Sequence, residues 1–387
     1  MDGCPRQNPA YRRTKGRASL AGPFLLEGAA FRAWSCRPVS IYPPPMATAR
    51  ADEQIEVRPM TAEDAVGVAD LVRRCYGDGY IHERIYHPEL FFADQEAGLQ
   101  ISEVAVAGDG EVVGHWAFVF HGPVVAESGM TITDARYRGL GIASRMEATL
   151  EARLVERGVK WMMGEPVLVH TATQEIVVTR WDRGAITGMR LKCLIHIDLE
   201  GFERQTEVGR VSLAMGFGPM APMRQHDVWL PPEYAELVAL ALEPTDWPRT
   251  IQTDPPQDLV LAEATVLSST FNDAMASVGI EVETIGADLH AAVAAARDEA
   301  QAAGARFIEL RIPTNEPASA LAGLLDQGFS YAAFLPEMRG HADLMLLQWL
   351  DDPQVDRSAW QLLNPHIESL ADAIVAQAEL AFERSNA

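Results

Sequence analysis

The chain has 387 residues, 48% of them apolar, which is enough to build two domains or one large one. Its formal charge of −22 argues against nucleic acid as a partner, because neutralising phosphates takes clustered Lys and Arg. No apolar run approaches the length of a membrane span, so no membrane partner is expected.

Residues 1–45 differ from the rest, with Arg6, Arg12, Arg13, Lys15, Arg17, Arg32 and Arg37 against only Asp2 and Glu27. The stretch from Leu20 to Phe31 follows basic residues, but Pro23, Glu27 and Gly28 break it, which disfavours a signal peptide. A basic, disordered extension over 1–53 is the expectation, with Met46 as a candidate start of translation. Cys4, Cys36, Cys75 and Cys193 form no close pair, so neither a disulfide framework nor a metal site is expected. That usage fits a reducing cytoplasm.

Regular patterning begins at Ile55, with a strand to Pro59 and a helix opened by Thr61-Ala-Glu-Asp64 that runs to about Tyr76. A second short helix is predicted between Ile81 and Ala97. Strands at 103–107 and 112–120 are joined by the hairpin signal Gly108-Asp-Gly110. The β-branched run Thr131-Ile132-Thr133 is the next strand, and it feeds the basic turn Arg136-Tyr-Arg138-Gly139-Leu140-Gly141. Ile142, Met146, Leu150 and Leu154 then form one apolar stripe at i, i+4 spacing, ended by Gly158. Strands at 160–165 and 189–199 flank a short helix over Thr173–Arg180.

A strand entering a helix through a glycine-bearing turn aims several backbone N–H groups and the positive helix end at one point. With arginines beside it, the expected anion is a phosphate or pyrophosphate. The string Arg138-x-x-Gly141-x-Ala143, between such a strand and such a helix, resembles the coenzyme turn of the Gcn5-related N-acetyltransferases, the GNAT superfamily. The order β-α-α-β-β-β-α-β-α-β over roughly 54–200 is similar to that family's order.

The resemblance implies an α/β (α+β) fold whose mixed, mostly antiparallel sheet splays between the family's fourth and fifth strands. It implies acetyl-coenzyme A as acyl donor, with no metal, held by Arg138, Gly139, Leu140, Gly141, Ile142, Ala143 and Ser144. It also implies backbone pairing of the pantetheine arm at Ile132 and Thr133. The acceptor would be a primary amine on a small molecule or a protein, which an acidic surface attracts by long-range steering. An amine needs a general base. Glu165, Glu127 and His170 are the candidates, with Glu165 ranked first. The tyrosine that many members carry on the helix after the fifth strand is absent from Thr173–Trp181; Tyr137 and Tyr80 are substitutes. Gly164-Glu165-Pro166-Val-Leu-Val-His170 with Thr173-Gln174 resembles a bacterial subgroup of the family that carries a C-terminal extension. Tyr76, Tyr80, His82, Tyr86 and His87 mark an aromatic cover suited to a cationic acceptor.

Domains are therefore expected at 54–205 and 257–387, joined by a Pro-rich connection at 206–256 that holds one helix, Glu233–Leu242. In the last third, strand-like segments precede an alanine-rich helix over 287–303 ended by Gly304, a strand at 306–312, a helix opened by Asn315-x-x-Ala318 and closed at Gly328-Phe329, and strands at 330–335 and 343–350. That ending resembles the second half of a GNAT domain without its coenzyme turn, hence a degenerate copy. An unrelated α/β module is the alternative for this region. A coenzyme-A-binding regulatory protein with little transfer is the alternative function. Tandem architecture alone also fits assembly of a thiol metabolite, as in mycothiol synthases, and leaves a homodimer open.

Overall fold

A computed structural model describes residues 11–13, 54–80, 82–195, 210–253, 260–315, 318–340 and 342–387. The strand β1 (Tyr11–Arg13) lies parallel to Leu267–Ser269; the rest of the expected 1–53 extension falls outside the described residues.

The first half follows the predicted order: β2 (Glu56–Pro59), α1 (Asp64–Tyr76), α2 (Pro88–Glu96), β3 (Gln100–Val106), β4 (Val112–Phe120), β5 (Val125–Thr133), α3 (Ile142–Glu156) and β6 (Trp161–Gly164). At the start of α1 the Thr61–Asp64 signal is realised through the carboxylate. Asp64 accepts from the Thr61 N–H and hydroxyl at 2.8 and 2.7 Å, and Arg58 clamps the same carboxylate bidentately at 2.5 and 2.8 Å. The α3 stripe of Ile142, Met146, Leu150 and Leu154 is buried as the spacing predicts. α4 (Ala172–Glu175) continues as a π-helical turn over Ile176–Arg180 and leads to β7 (Ala185–Ile195).

The segment expected to be a Pro-rich connection begins instead with β8 (Arg210–Pro219), which is buried throughout and sits between β7 and β6 in the sheet. Gly216 and Gly218 read as strand breakers, yet packing requires them. A Cβ at Gly216 would lie 2.5 Å from Val177, and one at Gly218 would lie 2.9 Å from Trp181. Next, β9 (His226–Trp229), α5 (Pro232–Leu242) and β10 (Arg249–Gln252) form a small parallel βαβ unit.

The second half consists of β11 (Val266–Asn272), β12 (Ser277–Thr284), α6 (Leu289–Ala302), β13 (Phe307–Pro313), α7 (Ala318–Leu321), β14 (Ser330–Leu335), β15 (Leu344–Leu350) and α8 (Pro365–Ser385). One sheet holds thirteen described strands in the order β1-β11-β12-β13-β15-β14-β7-β8-β6-β5-β4-β3-β2. Read outward from the β14–β7 junction, the two directions match: β14, β15, β13, β12 and β11 on one side mirror β7, β8, β6, β5 and β4 on the other. Each side has one parallel crossover, β12–α6–β13 and β5–α3–β6.

The junction is tight. A Cβ on Gly188 would fall 1.9 Å from the Ala332 carbonyl oxygen, so only glycine lets β7 meet β14 there. Tyr331 Oη donates to the Thr187 carbonyl at 2.6 Å, and Gln348 accepts from the Leu191 N–H at 2.8 Å. α8, which no predicted element anticipated, is capped by Asn364 and packs Ile367, Leu370, Ala371, Ile374, Ala378 and Ala381 over this seam.

Candidate active site

The turn between β5 and α3 has the geometry of an anion cradle. Asp134 accepts from the Arg136 N–H at 3.0 Å and starts a 3-10 turn over Ala135–Tyr137. Gly139 and Gly141 follow with φ of 82° and 70°, and a Cβ at either would meet nothing within 4 Å. These glycines therefore serve backbone conformation, and the space before them is open. The Arg145 N–H bonds back to the Gly141 carbonyl at 3.1 Å, so the N–H groups before it belong to the first turn, which has no intrahelical acceptor. Leu140 is half-buried and Ile142 buried, which anchors the turn to the core. Arg138 Nε donates to the Thr133 carbonyl at 3.4 Å. Arg136 is committed elsewhere, to Asp134 and to Glu111, each at 2.7 Å.

A slot leads away from this cradle. β5 pairs with β6 only at Val125–Glu127, so its edge toward β6 is unpaired from residue 128 to 133. A bulge at Met130 (φ 51°) shifts the register against β4. His115 lies beside it, neutral because burial lowers its pKa to about 4, and its Nδ1 bonds the Met130 carbonyl at 2.8 Å. Ile132 and Thr133 lie beyond the bulge on the open edge, next to the turn.

Two of the three base candidates come together at the closed end of the splay. Glu127 on β5 bonds His121 Nε2 through Oε2 at 2.6 Å, with the side chains 1% and 3% exposed. Glu165, just after β6, accepts from Arg190 Nη1 of β7 at 2.5 Å, and its Oε2 has no partner. Arg190 also pairs with Glu309 of β13, which holds Arg311 at 2.8 Å. Burial pushes Glu127 well above the ordinary carboxylate range, and the Glu165 charge adds to the shift. Burial raises Glu165 too, though Arg190 opposes it. Burial works against ionising Glu309 as well, but Arg190 and Arg311 hold its pKa low. His121 drops to about 3 through burial and the Arg311 charge. Two guanidiniums thus face three carboxylates, and burial favours the protonated form of Glu127, hydrogen-bonded to the neutral His121.

His170 is not part of this cluster. Burial lowers its pKa, and neither ring nitrogen has a hydrogen-bond partner. Its loop is tied down by Gln174, which donates to the His170 carbonyl at 3.1 Å and the Gln361 carbonyl at 2.9 Å, and accepts from the Leu363 N–H at 2.9 Å. Of the aromatic group, Tyr76 stacks on Tyr80 at 5.1 Å and His82 lies against Tyr80 at 5.5 Å, with both tyrosines buried. Tyr137 is buried, with the Arg136 guanidinium over its ring at 5.4 Å. Among the described residues, no group of three or more His, Cys, Asp or Glu is placed to hold a metal ion, and no helix is long and apolar enough to cross a membrane.

Residues 66–166, from within α1 to just past β6, match the sequence model of the Acetyltransferase (GNAT) family. These residues form a GNAT acetyltransferase domain. Among solved structures, the chain is similar to the spermidine/spermine N-acetyltransferase of Vibrio cholerae, at 10% identity over 43% of this chain and 93% of that one, with a TM-score of 0.34. It is similar to the ribosomal-protein-S18-alanine N-acetyltransferase of Escherichia coli, at 13% identity over 45% and 98%, with a TM-score of 0.35. An aminoglycoside 6'-N-acetyltransferase complexed with coenzyme A is similar at 13% identity over 44% and 99%, with a TM-score of 0.32. No curated protein matched the chain. The matched span contains the open turn, the splayed edge, Glu127 and Glu165. Arg190, Glu309 and Arg311 lie outside it. Their charges stand out inside apolar strands, but sequence spacing does not reveal that they meet.

Proposed function

We propose that the protein is an acetyl-coenzyme-A-dependent N-acetyltransferase that moves an acetyl group to a primary amine by direct attack on the thioester. The observation that carries this reading is the open cradle at Gly139–Ser144, set at the end of an unpaired strand edge. Binding energy gathered at the pyrophosphate, far from the reacting carbon, positions the thioester. An extended pantetheine arm would bond the free edge of β5, and backbone N–H groups near Ile132 and Thr133 would polarise the thioester carbonyl. The acceptor ammonium must lose a proton before its lone pair can attack. Glu165 is better suited to accept it than Glu127, because Arg190 favours its ionised form and its Oε2 has no partner, whereas burial favours a proton already held on Glu127. Glu127, bonded to His121, would balance the charge of the cluster. With no tyrosine on α4, the departing thiolate takes its proton from solvent.

The mirrored strand order supports reading the C-terminal half as a degenerate second GNAT unit. The unpaired thiols of Cys75 and Cys193 suit a reducing cytoplasm. The acceptor is a small-molecule or protein amine.

Calorimetric titration with acetyl-coenzyme A tests the donor half. Binding should collapse in Arg138→Ala, and equal affinity in the variant removes the assignment of the turn. A thiol-release screen over amine panels tests transfer. One observation favours a second reading, a coenzyme-A-binding regulatory protein: Glu127, Glu165 and His121 are all sealed in an ion network closed by the C-terminal half. Tight binding with no amine above background hydrolysis would select it.

A further inference from the structure

Arg180 ends the π-helical turn that follows α4 and reaches across the groove to α3. Its Nη2 lies 3.3 Å from the Ser144 hydroxyl and pairs with Glu147 Oε2. Ser144 belongs to the phosphate turn, so this guanidinium stands one side chain away from the helix start that the anion would occupy. Glu147 is on the same helix, six residues after Gly141. Its side chain is only 9% exposed, and its Oε1 has no partner.

The two partners are unequal. Glu147 is a nearly buried carboxylate close to an anion site, where its charge opposes an incoming phosphate. Arg180 is 38% exposed, on a long side chain at the end of an irregular helical turn, the kind of local irregularity often found at functional sites. A guanidinium presents several donors in a fork that matches phosphate oxygens, so it has a better partner available than one carboxylate oxygen.

We infer that Arg180 is a phosphate ligand of the bound coenzyme, parked on Glu147 until the nucleotide arrives. Phosphate oxygens take over the Nη hydrogen bonds, and the guanidinium closes the side of the groove opposite the α3 backbone. This rests on the coenzyme reading above and adds to it a residue from beyond the matched family span.

The test is calorimetric titration of acetyl-coenzyme A and its 3′-dephospho form into the full chain and its variants. Arg180→Ala should weaken acetyl-coenzyme A binding by roughly tenfold or more, the loss of one charge-assisted contact. Glu147→Gln should tighten it, because the competing carboxylate is gone. The double variant Arg180→Ala/Glu147→Gln leaves no unpaired buried charge and so guards against a folding artefact; it too should bind at least roughly tenfold more weakly than the original. If that penalty disappears with the dephospho form, Arg180 reads the 3′-phosphate; if it persists, Arg180 reads the pyrophosphate. Wild-type affinity in the double variant, with Arg138→Ala still defective, overturns the proposal and leaves the turn intact. Weaker binding in Glu147→Gln also overturns it, making the pair a structural clasp. No binding by the unmodified protein overturns both readings.

Discussion

The starts of α3 and α6 occupy matching places in the mirrored strand order, and they differ in what fills them. At α3 the chain turns through Gly139 and Gly141 with open space ahead. At α6 the chain fills its own mouth. Ala262 bridges to Gly286, Thr265 Oγ1 accepts from the Gly286 N–H at 3.0 Å, and Asp288 accepts from the Thr265 N–H at 2.6 Å. A Cβ on Gly286 would sit 2.2 Å from the Ala264 backbone. One helix start therefore faces open space, while the chain leading into the other is tied into the fold. On the proposed reading, the same kind of element serves binding in one half and stability in the other.

Substitutions that test this contrast should separate binding from stability. Gly141→Val puts a branched side chain at positive φ into the open cradle. Losing two charge-assisted contacts of about 1.5 kcal/mol each lowers acetyl-coenzyme A affinity by about a hundredfold in calorimetry. Gly286→Ala should do the opposite, leaving affinity unchanged and costing about 3 kcal/mol of stability by urea unfolding, because the new Cβ strikes backbone. Equal effects of the two on binding would remove the contrast. Asp288→Ala, which loses its charge-assisted bond from the Thr265 N–H, should cost about 1.5 kcal/mol with no change in affinity.

Glu127→Gln tests the buried cluster through its pH profile. The folded pKa of Glu127 lies well above the ordinary 4.5, so the fold keeps a proton that the unfolded chain releases as pH rises past 4.5. The original protein should therefore lose stability relative to the variant as pH rises from that value, and the two should run parallel below it. A constant gap in melting temperature from pH 4 to pH 8 would mean that Glu127 ionises normally in the fold. The smallest effect is expected at Arg136. Its guanidinium is spent on Asp134 and Glu111 at the surface, so Arg136→Ala should change coenzyme affinity by less than about twofold.

The donor side of the site was legible because its signals are local. The stripe from Ile142 to Leu154, the two glycines and the β-branched strand before them all fall within one short stretch of chain. β8 was not legible, since Gly216 and Gly218 look like breakers until Val177 and Trp181 are seen to occupy the missing side-chain space. α8 has a readable start in Asn364-Pro365 and an apolar stripe through Ile367, Leu370, Ala371 and Ile374, although no element was predicted past Leu350. Glu165 is legible as a candidate from its place after a strand. Its clamp, Arg190, comes from a distant strand, and Glu309 comes from the other half of the chain. Contacts made only when the sheet bends back on itself leave no trace in spacing.

The Gly188 contact also limits how the molecule can move. With β7 pressed against the Ala332 carbonyl and α8 laid across the join, the two halves cannot part like jaws to admit a substrate. On the proposed reading, an acceptor must therefore reach the buried carboxylates from the perimeter. On that perimeter the loop ahead of α4 is held twice over. Gln174 ties it to residues 361 and 363, and backbone ties it as well, with the Gln361 N–H donating to the Leu168 carbonyl at 2.7 Å and the Ala214 N–H to the Pro166 carbonyl at 2.8 Å. Opening that loop would break side-chain and backbone tethers together.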